Sequence, residues 1–106
     1  MANFLLVYSG GEARTAEERE KVMPLWGAWM GKLGDKFVDP GNPIGHAKNL
    51  SNGGTVHDGS ASNPAATGYS ILKADSLTAA TELAKGCPIL QSPGGKVTVY
   101  EITPAM

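Results

Sequence analysis

The pattern that most restricts the fold is a strand–helix–strand order that occurs twice within 106 residues. Residues 4–8 are continuously apolar and end at a glycine pair, which is typical of a strand covered on both faces. Residues 36–38, 68–73 and 97–102 have the composition of three further strands. A helical segment separates the strands in each half. This order predicts an α+β, ferredoxin-like βαββαβ domain with two helices on one face of an antiparallel sheet.

The first helical segment carries its apolar side chains on one face. Thr15 and Glu18 have the spacing of a capping box, in which each side chain bonds the backbone amide of the other residue. Pro24 predicts a kink or a restart, because proline lacks an amide donor, and Gly34 is expected to end the helix. The residues at helical spacing are Val22, Trp26, Trp29 and Leu33.

Two further segments complete the predicted fold. Residues 45–58 predict an inserted β-hairpin, with Asn52 and Gly53 at the centre of a two-residue type I′ turn. Asp75 or Ser76 is expected to cap the second helix. The buried stripe of that helix is predicted to contain Ala80, Leu83, Ala84 and Cys87.

Length and charge restrict the class of protein. A chain of this length has room for one domain, residues 1–106. Lys and Arg number 9 against 10 for Asp and Glu, so a basic face for nucleic acid or an anionic membrane is not expected. The single cysteine excludes an intrachain disulfide framework, and no apolar run approaches a membrane span. We therefore expect a cytoplasmic protein without a cofactor.

The sheet face turned away from the helices has no predicted cover. Residues 4–8 include nothing polar, so apolar side chains lie on that face whichever way the strand is phased. An exposed apolar face of this size usually binds a partner. A second copy packed sheet to sheet about a two-fold axis is the simplest solution, and a homodimer is therefore expected.

The second half of the chain carries a resemblance to a known family. The matching segments are residues 55–60, 68–72, 74–80, 86–90 and 94–102. In order and spacing they resemble the second βαβ half of the YCII-related (DGPF-domain) family. Asp58 and Gly59 match the start of the motif that gives the family its name, and Ser60 replaces its proline.

The resemblance implies a dimeric α/β barrel with one pocket in each subunit. Some relatives are interpreted as acid/base enzymes that use a histidine on the first helix together with an aspartate. The first helix of this chain contains no histidine, and Trp26 stands about where that histidine would fall. The catalytic pair of those relatives therefore does not transfer to this sequence.

The two histidines, His46 and His57, could share one face of the hairpin. With a two-residue turn, Lys48 would lie opposite His57, and His46 would be its diagonal neighbour at roughly 7–8 Å. Two imidazoles at that distance could bind a metal or an anion, or could lie on a solvated ribbon without a role. No third ligand is placed, so no metal site is assigned.

Two carboxylates are candidates for acid/base chemistry. Asp58 follows His57 directly, but neighbouring side chains on a strand point to opposite faces, so cooperation needs a bulge, a turn or a dimer partner. Asp39 stands at a strand end, where burial could raise its pKa. The alternative for both residues is a structural role, in which the carboxylate accepts hydrogen bonds from nearby backbone amides in a turn.

The aromatic residues could line a pocket or fill the core. Trp26 and Trp29 offer apolar area with an indole donor, and Tyr8 could direct a phenol to the same place. Two functional hypotheses follow. The first is a small-molecule-binding protein with His57 and Asp58 as candidate catalytic residues for a reaction of the isomerase or lyase type. The second is a non-enzymatic regulatory or protein-interaction subunit.

Overall fold

The computed structural model describes residues 1–10, 16–61 and 64–103. The strands are β1 (Ala2–Ser9), β2 (Phe37–Pro43), β3 (Lys48–Leu50), β4 (Val56–Asp58), β5 (Ala66–Ala74) and β6 (Lys96–Glu101). The helices are α1 (Ala16–Leu33) and α2 (Leu77–Ala84). Thr15 of the predicted capping box lies outside the described residues.

Four of the strands form the main sheet, in the order β2-β5-β1-β6. Each neighbouring pair is antiparallel. The α+β class and the antiparallel sheet predicted from the sequence are confirmed, and the arrangement is compatible with a ferredoxin-like fold. β3 and β4 form a separate two-stranded sheet, called the arm below.

The core lies between the helices and one face of the main sheet. Alternate residues of β1 and β5 are buried there, because successive side chains of a strand point to opposite faces. Trp29 and Leu33 of α1, with Ala80 and Ala84 of α2, pack on this face. The buried strand residues are Phe4, Leu6, Tyr8, Ser70, Leu72 and Ala74.

The opposite face of the main sheet, called the open face below, is apolar and only half buried. Leu5 pairs with Ile71 on one side and with Tyr100 on the other. Val7 pairs in the same way with Tyr69 and Thr98. In the part of the chain that the structure describes, neither helix covers these residues.

Four local predictions concern the course, the ends and the buried side chains of the helices. α1 continues through Pro24 without a restart, and it ends at Leu33, directly before Gly34. Ser76 caps α2, since its hydroxyl accepts a hydrogen bond from the Ala79 amide at 3.0 Å. On α2, Ala80 and Ala84 are buried and Leu83 is half buried, as predicted, whereas Cys87 is buried beyond the end of the helix at Ala84. Within residues 1–10, 16–61 and 64–103, no helix has the length and hydrophobicity needed to cross a membrane.

The prediction that the second strand stops before residue 39 is wrong. β2 continues to Pro43, with irregular register on both sides of Asp39. Proline is tolerated there because β2 is an edge strand, so one side of its backbone needs no partner in the sheet.

The predicted type I′ turn of the hairpin is also wrong. The Gly54 amide donates to the Ser51 carbonyl at 2.9 Å, and Ser51 pairs with Thr55 beyond the turn. Gly53 and Gly54 both have a φ of 87°, whereas Asn52 does not have a positive φ. A positive φ at the third residue is typical of a type II turn. The loop therefore contains three residues rather than two, and the register moves by one.

Candidate functional site

A surface cleft of about 1490 Å³ lies at the end of the main sheet where the arm begins. One wall is the N-terminal half of α1, with Lys21 and Val22. The facing wall is the base of the arm, with His46, Lys48 and Asp58. The ends of β1 and β2 and the starts of β5 and β6 meet here because the strands are antiparallel.

The charged side chains of the cleft balance one another. They are Glu18, Lys21, Lys48 and Asp58, two of each sign. The Nζ atom of Lys48 lies 2.5 Å from Oδ1 of Asp58, and both side chains are largely exposed. Val22 and Ile44 add apolar surface, and His46 adds an imidazole. The described residues of the cleft therefore offer hydrogen-bonding groups on a partly apolar surface, and their charges sum to zero.

The register of the arm separates the two histidines. Lys48 lies opposite Asp58, and His57 lies opposite Asn49. The predicted pairing of Lys48 with His57 is therefore wrong, because the turn contains one more residue than expected. His46 lines the cleft, whereas His57 lies on the other face of the arm from Lys48 and Asp58. Among the described residues, no group of three or more His, Cys, Asp or Glu side chains could hold a metal ion.

His57 and Asp58, the candidate catalytic residues, lie on opposite faces of β4. Of the two, Asp58 lines the cleft. The carboxylate of Asp58 accepts a hydrogen bond from Lys48. Asp58 and His46 thus line the same cleft, and His57 does not.

The aromatic residues form a continuous row inside the domain. Ring centroids are 5.1 Å apart for Tyr8 and Trp26, 5.8 Å for Trp26 and Trp29, and 5.3 Å for Trp29 and Phe37. Each contact is edge to face, an arrangement that aromatic quadrupoles favour. Trp29 is buried and donates from Nε1 to the Leu83 carbonyl at 3.3 Å, which joins α1 to α2. Trp26 is half buried against the core.

The Tyr8 phenol is part of a buried hydrogen-bond chain. Its hydroxyl donates to Oγ of Ser70 at 2.9 Å, and Ser70 donates to the Pro40 carbonyl at 2.6 Å. Burial raises the pKa of Tyr8 to about 12, because the phenolate would lose its hydration, and the bond to Ser70 opposes this effect in part. The side chain is 4% exposed, so this hydroxyl stabilises the core.

Asp39 has a turn partner. Its Oδ1 atom accepts a hydrogen bond from the Gly41 amide at 2.8 Å. Gly41 has a φ of 82°, and a Cβ there would lie 1.6 Å from the Tyr69 carbonyl oxygen, so only glycine fits. The arrangement is the turn that was one of the two alternatives for Asp39.

Cys87 is 1% exposed and packs in the core. Burial raises the pKa of its thiol to about 11, and a backbone hydrogen bond involving Ile89 opposes this in part. The thiolate needed for nucleophilic chemistry is therefore disfavoured.

Sequence reasoning did not assign Lys21, Ile44 or Lys48 to a functional site, but all three line the cleft. They come from α1, the link after β2 and the arm, and no local motif joins them. The pairing of Lys48 with Asp58 could have been found from a three-residue loop between the strands, for which Gly53 and Gly54 were the signal.

Comparison with known proteins leaves the cleft and the open face as the basis for functional inference. No protein-family model matches the chain, and no curated protein is significantly similar to it in sequence.

Proposed function

We propose that this chain is a homodimeric protein that binds a small organic molecule in the cleft between α1 and the base of the arm. The observation that carries the proposal is the composition of that cleft. His46 and the Lys48–Asp58 pair face the helix wall formed by Lys21 and Val22. A partly apolar concave surface with a few polar groups is the usual form of a small-molecule site.

The balance of charge indicates the class of ligand. Among the described residues that line the cleft, two lysines are balanced by one glutamate and one aspartate, so these residues do not attract a strongly anionic or cationic molecule by charge alone. Phosphate-rich ligands usually require a cationic surface or a glycine-rich loop that ends in a helix. The proposed ligand is therefore a small metabolite without net charge, which has an apolar part and one or two hydrogen-bonding groups.

Acid/base chemistry is a narrower form of the same proposal. His46 could accept or donate a proton near neutral pH, and Asp58 lies in the same cleft. The groups whose pKa is raised, Tyr8 and Cys87, lie in the core and do not line the cleft. Binding is therefore the function that the geometry supports best, and an isomerase or lyase activity would depend on His46 and Asp58.

The open face supports the homodimer in this proposal. Leu5, Val7 and Ile71 form its half-buried centre, and Tyr100 at the β6 edge is 52% exposed. Apolar faces of this kind usually bind a partner, and a second copy supplies an identical face about a two-fold axis. The dimeric α/β barrel is proposed on this basis. Membership of the YCII-related family is proposed from the sequence resemblance of residues 55–60, 68–72, 74–80, 86–90 and 94–102 alone.

A thermal-shift screen against uncharged small metabolites tests ligand binding. A ligand at 100 times its Kd stabilises a native protein by about 2.7 kcal/mol, which raises the Tm of a domain of this size by roughly 10 °C or more. We expect His46→Ala to reduce that shift and His57→Ala to leave it unchanged. His57→Ala is the matched control, because both histidines are exposed and only His46 lines the cleft. An equal loss in both variants would contradict the proposed site.

The open face also favours a second candidate, a protein-interaction subunit. Light scattering after gel filtration distinguishes the two possibilities. We expect a dimer for the native chain and a monomer for Tyr100→Asp. A native chain that is a monomer at micromolar concentration would contradict the homodimer, and the open face would then be assigned to a different protein partner.

A cytoplasmic location belongs to the same proposal. Cys87 is a free, buried thiol, as is usual in reducing compartments.

A further inference from the structure

The arm is joined to the main sheet by a short link on one side. The Ile44 amide donates to the Thr67 carbonyl at 3.0 Å, which is the last bond between this segment and β5. The Ala47 carbonyl accepts from the Gly59 amide at 2.8 Å, which is the first bond within the arm. Gly45 and His46 alone lie between these two bonds. A link of two residues that includes glycine can absorb the dihedral changes of a hinge.

The arm is also a region of low local stability. It is a two-stranded sheet with three residue pairs, separate from the main sheet. Two-stranded ribbons are marginally stable in water when no other layer packs on them. Segments that move over a binding site are drawn from regions of this kind.

An apolar pair continues the cleft wall toward the tip of the arm. Leu50 lies directly opposite Val56, and the two are 68% and 55% exposed. They share a face of the arm with Lys48 and Asp58, because residues two apart on a strand point the same way. Lys48 and Asp58 line the cleft, whereas Leu50 and Val56 lie beyond its rim.

The cleft is too wide to enclose a small molecule as it stands. Its volume of about 1490 Å³ exceeds the roughly 300–1,000 Å³ of typical small-molecule sites. Such sites bury roughly 70–90% of the ligand surface. A movement of the arm toward α1 would narrow the cleft and cover the ligand at the same time.

We propose that the arm closes over the cleft about Gly45 and His46, and that Leu50 and Val56 then form the apolar roof of the ligand site. This inference rests on the proposed function and narrows the class of ligand that the cleft would bind. The ligand has a flat or branched apolar part, which contacts the roof. Its polar group lies at the base of the arm, near His46 and the Lys48–Asp58 pair. Closure removes the two most exposed apolar side chains of the arm from water, which favours the closed state when a ligand fills the cleft.

A disulfide-trapping experiment tests the movement without any ligand. One cysteine is placed on the helix wall by Lys21→Cys and the other on the roof by Val56→Cys. Under mild oxidation we expect an intramolecular disulfide to form at least ten times faster than in the matched control. The control combines Lys21→Cys with His57→Cys, which places the second thiol one residue away on the opposite face of the arm. Cys87 is buried and present in both proteins.

Equal rates in the two proteins would overturn the closure. So would a disulfide that forms only between chains, because it would show that the arm meets a second copy instead. Since this measurement involves no ligand, a failed metabolite screen would count against the proposed function and leave the closure supported by its own result.

The roof itself is tested with a neutral fluorescent probe, N-phenyl-1-naphthylamine, on the intact chain. We expect Leu50→Ser and Val56→Ser each to weaken binding of the probe several-fold, and His57→Ser to leave it unchanged. Both roof residues are exposed, so the variants should fold like the native chain. Unchanged binding in both roof variants, or an absence of binding to the native chain, would overturn the assignment of Leu50 and Val56 to the site.

Discussion

The main sheet and the arm are both antiparallel, yet they are stabilised in different ways. In the main sheet, β1 and β5 are central strands, and the side chains on one face are buried under two helices. In the arm, the side chains of Leu50, Val56 and Asp58 remain exposed, and among the described residues the two strands pair only with each other. Burial of apolar surface is the dominant favourable contribution to folding, so the free energy of unfolding is concentrated in the main sheet. The side chains of the proposed ligand site lie where that contribution is small.

The test with the largest expected effect compares the substitution of one leucine in each region. Leu6→Ala in the core is expected to lower the free energy of unfolding by about 2–5 kcal/mol, because it removes buried methyl groups and leaves a cavity. Leu50→Ala in the arm is expected to change it by less than about 0.5 kcal/mol. Urea unfolding monitored by circular dichroism measures both. Similar losses in the two variants would show that the arm belongs to the same cooperative unit as the core.

The next effect is a loss of core stability at alkaline pH. Burial raises the pKa of Cys87 to about 11 and that of Tyr8 to about 12, each above its ordinary value. Both groups are neutral in the folded chain and ionise first in the unfolded chain, so stability is complete at neutral pH and falls as the pH rises from about 9 to 12. The loss is expected to be on the order of 2 kcal/mol for each group.

Urea unfolding between pH 7 and pH 11.5 measures this loss, and Tyr8→Phe is the control. The slope of stability against pH above 10 should be smaller in that variant. If the native chain and Tyr8→Phe have the same slope, the Tyr8 phenol does not contribute.

A smaller effect is expected from the hydrogen-bond chain under the helices. Ser70→Ala removes the acceptor of the Tyr8 hydroxyl and the donor to the Pro40 carbonyl. Leaving such groups unpaired in the core is expected to lower the free energy of unfolding by about 1–3 kcal/mol. In a Tyr8→Phe background the same substitution should cost less, because one of the orphaned groups is absent. Additive losses in the double variant would mean that the two hydroxyls are not coupled.

The smallest effect is expected for the ion pair at the base of the arm. Lys48→Ala removes the partner of Asp58, but the lysine and aspartate side chains are 66% and 90% exposed. Exposed pairs contribute about 0–1 kcal/mol, and salt screens them. Unfolding in low and high salt should therefore give nearly the same small difference between Lys48→Ala and the native chain. A loss as large as that of Ser70→Ala would indicate that the pair holds the arm in place.

The two regions also differ in how far the sequence predicts them. The strand at residues 4–8 and the apolar face of α1 follow from local patterns, and the structure confirms them. Local pattern also predicts a cap at Asp75 or Ser76, and the cap is Ser76. The register of the arm does not follow, because Gly53 and Gly54 can each adopt a positive φ and so permit a turn of either length. Because the turn is one residue longer than predicted, Lys48 lies opposite Asp58 and not opposite His57.

The cleft is harder to predict than either of these features. Lys21 and Asp58 are 37 positions apart in the sequence and belong to different elements, and the path of the link after β2 brings them to one cleft. β2 itself extends further than the proline and glycine residues suggested, since an edge strand tolerates them. Sequence patterns describe each element, but the relation between elements depends on packing.

The row of aromatic rings gives this protein an internal optical reporter. The chain has two tryptophans, which differ in environment, since Trp29 is buried and Trp26 is half buried. Trp26 lies one helical turn after Val22, one of the α1 residues that line the cleft. Its emission maximum should therefore shift when the cleft loses water, while Trp29 supplies a constant background. A Trp29→Phe variant would leave Trp26 as the single tryptophan. Its emission maximum would then report ligand binding to the proposed site in the cleft, in real time and without an added label.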